Sequence, residues 1–373
     1  MNYIILLGIC KFAGMRTILI IFSLLFSISA RAQSLGREEI WVEGKFKAGF
    51  LAAHRGMIGH LPTEHAFAGE ASYLIQGKGQ KAWHDYYRKP TYGVTAFFGS
   101  VGNRELLGHY FGSYGFMSFP LVREKFYTFS FKMGAGLGYG TKVYDTDDNV
   151  LSAAVSTHIN ALIVLGVESR FVFGNNSAIL GLDMTHFSNG ATKVPNLGLN
   201  LPYVSIGYGR RLQKSNFCDT CDQVRLGRQR YFFGATAIGS LSSNFPTGGK
   251  KRPVYALSLF ARKLIGDKGG IEVSFDVMSK QSNMEFKPDV PKTQLDIMQL
   301  GVFTGFIMPL DQLHFVLGMG AYVRDKYSPI DRFYHRVGLR YVFKNGINLG
   351  VVLKSHWARA DYVEYGIGYS FGR

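Results

Sequence analysis

Past residue 32 the chain has no apolar run long enough to cross a bilayer as a helix, which takes about 20 residues. Helical spans are therefore excluded for this part of the sequence. Cysteine is scarce, with three in all. Cys10 sits near the start, and only Cys218 and Cys221 follow. Two cysteines without neighbouring histidines make a poor zinc site, and no helix opens at the pair, as a thioredoxin-like centre needs. In an oxidising compartment they are expected to close a small structural disulfide loop. Acid is also in short supply, 26 residues against 42 Lys and Arg, and it is missing altogether from residues 1–32.

That acid-free start is the first positive signal. Residues 18–28 are almost entirely apolar, and Ala30-Arg31-Ala32 supplies a small-x-small cleavage site. The expectation is a secretory signal peptide over 1–32. Met15-Arg16 opens a complete signal by itself. Cys10 faintly resembles a lipoprotein site, but the large Ile9 before it argues against lipidation. What the remaining chain has in abundance is glycine (45), phenylalanine (30) and tyrosine (21), counted over the whole sequence. An exported chain with this content and short alternating segments predicts an antiparallel barrel embedded in the outer membrane of a Gram-negative bacterium. Export leaves no role for nucleic acid. The basic excess is read either as attraction to anionic lipopolysaccharide or as solvated loops.

Period-2 alternation predicts strands over 41–53, 65–76, 91–99, 109–120, 126–139, 158–172, 178–188 and 200–212. A second set covers 231–240, 254–264, 271–279, 295–308, 313–323, 333–343, 347–355 and 361–371. The expected fold is thus all-β, a transmembrane barrel of about 16 strands. Short links (122–125, 266–270, 344–346) fall at one end and longer ones (142–156, 190–199, 283–293) at the other, with 77–90 the exception. The halves 33–212 and 229–373 flank a Cys-containing connection, 213–228. One wide barrel is favoured because that connection is short for a linker; two fused eight-stranded barrels are the alternative.

Chemistry concentrates at the end of one predicted strand. Alternate residues of a strand share a face. Ala178, Leu180, Leu182 and Met184 form an apolar row, which His186 and Ser188 continue. The next strand brings Asn200 onto its own apolar row with Pro202, Val204, Ile206 and Tyr208. Polar groups facing lipid are costly and need a reason. Catalysis is one. A serine needs a neighbouring base to become a nucleophile, and the base needs a third group to hold its tautomer. Asn200 can accept the imidazole N–H through its amide oxygen. Asn189, with Gly190 beside it, is placed to support a developing oxyanion.

His186-Phe187-Ser188-Asn189, followed by Pro195-Asn196-x-Gly198-x-Asn200, resembles the signature of the lipid A 3-O-deacylase, or acyloxyacyl hydrolase-like, family. The likeness is strongest over 181–208 and plausible over the rest of the first half; the second half shows none. It implies an outer-membrane serine esterase that cuts an acyl ester of lipid A with no metal or other cofactor. Its partner would be lipopolysaccharide in the outer leaflet. It also implies Ser188 as nucleophile and His186 as base. The family's third residue is Glu, and Asn200 stands at that position. The outer-membrane phospholipase A family, another barrel esterase, uses a Ser-His-Asn set. The other readings are a phospholipase-like esterase and a non-catalytic barrel, porin-like or structural.

Two further clusters receive a blander reading. Lys354, His356 and Glu364 echo the first site but alternate onto the lumen side, so an interior polar network is expected. Asp145, Asp147, Asp148 and Asn149 lack the Gly and distal Glu of a calcium hand and read as a solvated loop.

Overall fold

A computed structural model describes residues 38–372 apart from 78–81, 215–229, 244–248, 267, 328–330 and 358. The expected leader, Cys10, Cys218 and Cys221 lie outside the described residues. The first eight strands are β1 (Glu39–Gly49), β2 (Ala66–Gln76), β3 (Thr91–Ser100), β4 (His109–Arg123), β5 (Tyr127–Gly140), β6 (Ile159–Phe173), β7 (Asn176–Ser188) and β8 (Leu199–Gln213). The second eight are β9 (Arg230–Ser242), β10 (Arg252–Ile265), β11 (Gly269–Lys280), β12 (Met298–Leu310), β13 (Leu313–Arg324), β14 (Phe333–Val342), β15 (Ile347–His356) and β16 (Arg359–Gly372).

All neighbouring strands are antiparallel. Each set closes separately, β1 on β8 and β9 on β16. The sixteen strands therefore form two eight-stranded barrels, the second of the two arrangements the sequence allowed, in place of one wide barrel. The physical reason lies in the closing pairs. Trp41 meets Arg211 and Gly49 meets Tyr203 along the whole of β1, so no edge of the first sheet is left to accept β9.

Each barrel is inverted relative to a water-soluble sandwich. The outward rows are apolar and exposed, as with Leu182 at 56% and Val204 and Ile206 at 62%. The inward rows carry the charges. In the first lumen Lys47, wholly buried, donates to Glu70 (3.0 Å), Asp183 (2.8 Å) and Thr185 (3.1 Å). Lys45 and Lys132 share Glu168, and Arg170 pairs with Glu43. In the second lumen Arg336 forks onto Glu364 at 2.9 and 2.8 Å and also reaches Asp276. Arg262 and Arg340 both hold Glu272. Buried charges persist only when paired and hydrogen-bonded, and here the partners come from adjoining strands, as with Arg262 and Glu272, and from strands further round the barrel, as with Arg336 and Asp276. An eight-stranded barrel is just wide enough for its side chains to fill it. Part of the glycine content serves this filling: a Cβ at Gly320 would lie 2.2 Å from the Tyr334 ring.

Two local departures from simple alternation stand out. Residues 50–53 leave the sheet and start the β1–β2 loop, and Gln294–Ile297 is a helical turn ahead of β12. Asp296 accepts from both the Thr293 backbone N–H (2.9 Å) and its hydroxyl (2.8 Å), which caps that turn. The long 77–90 link closes on itself, with the Gly77 N–H donating to the Pro90 carbonyl at 3.0 Å. Its Tyr87 hydroxyl reaches across to the second barrel, donating to the Lys268 carbonyl at 2.9 Å.

The end of the first barrel that carries the long loops is capped by an apolar cluster. Phe187, Tyr110, Phe97, Leu162 and Leu201 meet there, together with Ile58, Leu61 and Val155 from the loops. This cap, standing on the polar lumen, sets the frame for β7.

Candidate active site

Residue by residue, β7 is held from the inside and presents its chemistry on the outside. Its inward row runs Asp183, Thr185, Phe187. Asp183 and Thr185 bind Lys47. Phe187 is fully buried, with ring centroids 4.8 Å from Tyr110 and 5.6 Å from Phe97. Because the strand has period 2, fixing this row fixes the other. That outward row runs Leu180, Leu182 and Met184, all exposed, then half-buried His186 and buried Ser188.

His186 lies directly opposite Asn200 across the β7–β8 pair. Its Nδ1 is 2.6 Å from Asn200 Oδ1. An amide oxygen only accepts, so Nδ1 carries the proton and Nε2 keeps its lone pair. Nε2 makes no hydrogen bond among the described residues, which leaves it available to take a proton. Ser188 is two residues further on the same face, about 7 Å along the strand at Cα. No Ser188–His186 hydrogen bond is present. Such bonds are commonly loose before substrate arrives.

Gly198 makes the close packing of the ring possible. A Cβ there would sit 2.8 Å from His186 Cε1, and its φ of +77° belongs to glycine. The loop over 189–198 is braced from both sides. The Asn189 backbone N–H donates to Asn196 Oδ1 (3.0 Å), and its side-chain Nδ2 to the Lys193 carbonyl (2.9 Å) and Ser156 Oγ (3.3 Å). The Gly198 N–H donates to the Ala154 carbonyl at 2.8 Å, tying this loop to the one between β5 and β6. Asn189 thus spends its side-chain donors on the loop. The adjoining Gly190 and Ala191 have positive φ, +61° at each, and their N–H groups bond to no described residue. Gly190 also touches the second barrel, since a Cβ there would lie 2.4 Å from Val363 Cγ2.

One member of the cluster was invisible in the strand pattern. Asn200 Nδ2 donates to His54 Nδ1 at 3.0 Å. His54 belongs to the β1–β2 loop, and no periodicity marks it. Below the polar cluster an apolar groove of about 700 Å³ opens on the outer wall, lined by Leu165, Leu182, Met184, Pro202 and Val204 among others. Met184 and Pro202 are the cross-strand pair one step down from His186 and Asn200.

The other clusters are elsewhere. His356 is buried in the second lumen, with Nδ1 2.8 Å from the Phe333 carbonyl, and Glu364 is committed to Arg336. Asp145 accepts from the backbone N–H groups of Asp147 (2.9 Å) and Asp148 (3.1 Å), which holds its carboxyl below the usual range.

The site thus joins a histidine–amide pair and a serine at the rim of a closed barrel's apolar outer wall. Residues 68–209 match the lipid A 3-O-deacylase (PagL) family, and residues 229–373 match the acyloxyacyl hydrolase C-terminal domain. The chain belongs to this lipid A deacylase family. The second half, where no resemblance was legible, is covered by the second match. No curated protein matches the chain. Among solved structures, engineered variants of the Rhodopseudomonas blastica porin are similar at 9–10% identity over 90% of this chain and all of theirs. Their TM-scores are 0.19 or below.

Proposed function

We propose that the protein is an outer-membrane serine esterase that removes an ester-linked acyl chain from the lipid A of lipopolysaccharide. The carrying observation is the 2.6 Å His186–Asn200 pair, placed in the outward apolar row two residues before Ser188. The exposed apolar rows of both barrels are the surface a bilayer would cover. On this reading the strands span the outer membrane and the long loops face outward. The domain over 33–212, which contains the first barrel, is catalytic and that over 229–373 is its companion.

In the reaction, Ser188 Oγ attacks the ester carbonyl while His186 Nε2 takes its proton. Asn200 holds the tautomer from the Nδ1 side and the imidazolium forms without a carboxylate behind it. The oxyanion is met by the backbone N–H of Gly190, with Asn189 bracing the loop that presents it. His186 then returns the proton to the leaving alcohol, and water releases the acyl chain by the reverse path. The scissile ester would sit at the rim while an acyl chain occupies the groove below. Substrate enters sideways from the outer leaflet.

The test is to express wild type and Ser188→Ala in a host outer membrane and to take mass spectra of the extracted lipid A. Loss of one acyl mass with wild type alone supports the assignment. Full activity in a folded Ser188→Ala protein removes Ser188 as nucleophile. The asparagine at the third position favours one second reading, a phospholipase A-like esterase with the same machinery. Parallel assays on phospholipid and lipopolysaccharide separate the two substrates. A porin-like role has less support, because the lumens are filled with paired charges.

A further inference from the structure

We propose that His54 is a positioning residue of the catalytic cluster, fixing which end of the Asn200 amide faces His186. The inference rests on the esterase reading and adds a residue to it. A carboxylate offers either oxygen to an imidazole N–H. An amide offers one oxygen and one NH2 group, and the wrong face would set two donors against each other. Whatever meets the far end of Asn200 therefore decides whether His186 is oriented at all.

What meets it is His54 Nδ1, 3.0 Å from Asn200 Nδ2. With Asn200 Oδ1 already 2.6 Å from His186 Nδ1, every hydrogen in the chain is assigned. His54 Nδ1 accepts from the amide, the amide oxygen accepts from His186, and Nε2 of His186 faces the reaction as acceptor. Reversing any one bond places a proton on Nε2 and ends its use as a base. The loop is built to hold His54 there. Two residues earlier the Ala52 N–H donates to the Asn200 backbone carbonyl at 2.8 Å, and Leu51 is buried in the apolar cap. The loop and β8 are thus joined at Asn200 through both backbone and side chain. His54 touches no reacting atom and acts through Asn200.

The experiment compares kcat and KM for lipid A deacylation by the full-length protein reconstituted in lipopolysaccharide-containing vesicles. The variants are His54→Leu, His54→Gln, Asn200→Glu and the double variant H54L/N200E. Loss of one neutral hydrogen bond is about a tenfold effect at most. His54→Leu is expected to lower kcat roughly five- to tenfold with KM unchanged, while His54→Gln, which retains an acceptor, keeps more of the rate. In the Asn200→Glu background, measured relative to that variant's own rate, His54→Leu should cost little, because a carboxylate needs no orienting partner. A folded His54→Leu protein with wild-type kcat, or one whose loss is equally large in the Asn200→Glu background, overturns the proposal. If Asn200→Glu is itself inactive, the contrast between His54→Leu and His54→Gln decides alone. Absence of deacylation in wild type and Ser188→Ala alike would instead strike the esterase reading, and this inference with it.

Discussion

Alanine at Gly198 would perturb His186, the proposed base, without changing any group proposed to react. The new Cβ would stand 2.8 Å from His186 Cε1 and 3.5 Å from Nε2, where ordinary contact begins at 3.4 Å. The ring cannot simply swing away, because Nδ1 is tied to Asn200 at 2.6 Å. Either the ring or the loop must shift by several tenths of an ångström. Misplacement of a catalytic group by about 1 Å can cost about 100-fold in rate, so a shift of half that size should lower kcat by roughly tenfold. The left-handed backbone adds a separate strain of about 1–2 kcal/mol. A control isolates that second effect. Gly174, in the β6–β7 turn, has a φ of +64° and nothing within 4 Å of its absent Cβ. Gly174→Ala should therefore carry similar backbone strain and leave kcat alone. Acyl release from lipid A gives the rate, and heat-modifiable electrophoretic mobility gives the folded fraction. Wild-type kcat in fully folded Gly198→Ala would refute the argument that the position of the His186 ring limits the rate. Equal losses at both glycines would trace the effect to loop strain alone.

The lumen networks yield three further expectations. Lys47→Met leaves Glu70 and Asp183 without their shared cation and should destabilise the first barrel by about 3–5 kcal/mol, read as a lower urea midpoint in detergent; an unchanged midpoint would mean those carboxylates find other partners. Arg336→Met should do the same to the second barrel through Asp276 and Glu364 while leaving the deacylation rate of the folded protein in place. Two filled eight-stranded barrels should also pass no ions, so planar bilayers holding wild-type protein are expected to be silent, and steady single-channel currents would contradict the packing of both lumens.

The strands were legible because the alternation is a local property. Leu180, Leu182 and Met184 are apolar and Asp183 and Thr185 polar, whatever the rest of the chain does. The number of barrels was not legible, because it depends on whether β8 pairs with β1 or with β9, a choice between partners more than a hundred residues apart. The ends of the elements failed for local reasons. Residues 50–53 alternate as well as a strand does, yet the chain turns there to cover the rim. Gln294–Ile297 is helical because the Thr293–Asp296 cap outweighs the alternation around it. In the candidate site, the shared face of Ser188 and His186 was legible from alternation, and the place of Asn200 opposite His186 from its own apolar row. Asn189 was legible as a candidate, but the loop contacts of its amide were not, since its acceptors come from the loop's own fold. His54 had no signal. It reaches Asn200 only because a loop between β1 and β2 folds back over β8.

The placement of the groove on the outer wall has a kinetic consequence. On the proposed reading, with both lumens filled and the strands spanning the outer membrane, the enzyme would meet its substrate only by lateral diffusion within one leaflet. The concentration that sets its rate is then a mole fraction of lipid and not a molarity in water. Adding more membrane of the same composition enlarges the total supply of substrate without changing the turnover of any one enzyme molecule. Diluting the substrate with other lipids slows it, even at constant total amount. Saturation of this enzyme is a property of membrane composition, and a competitor must first be a membrane component before it can be an inhibitor.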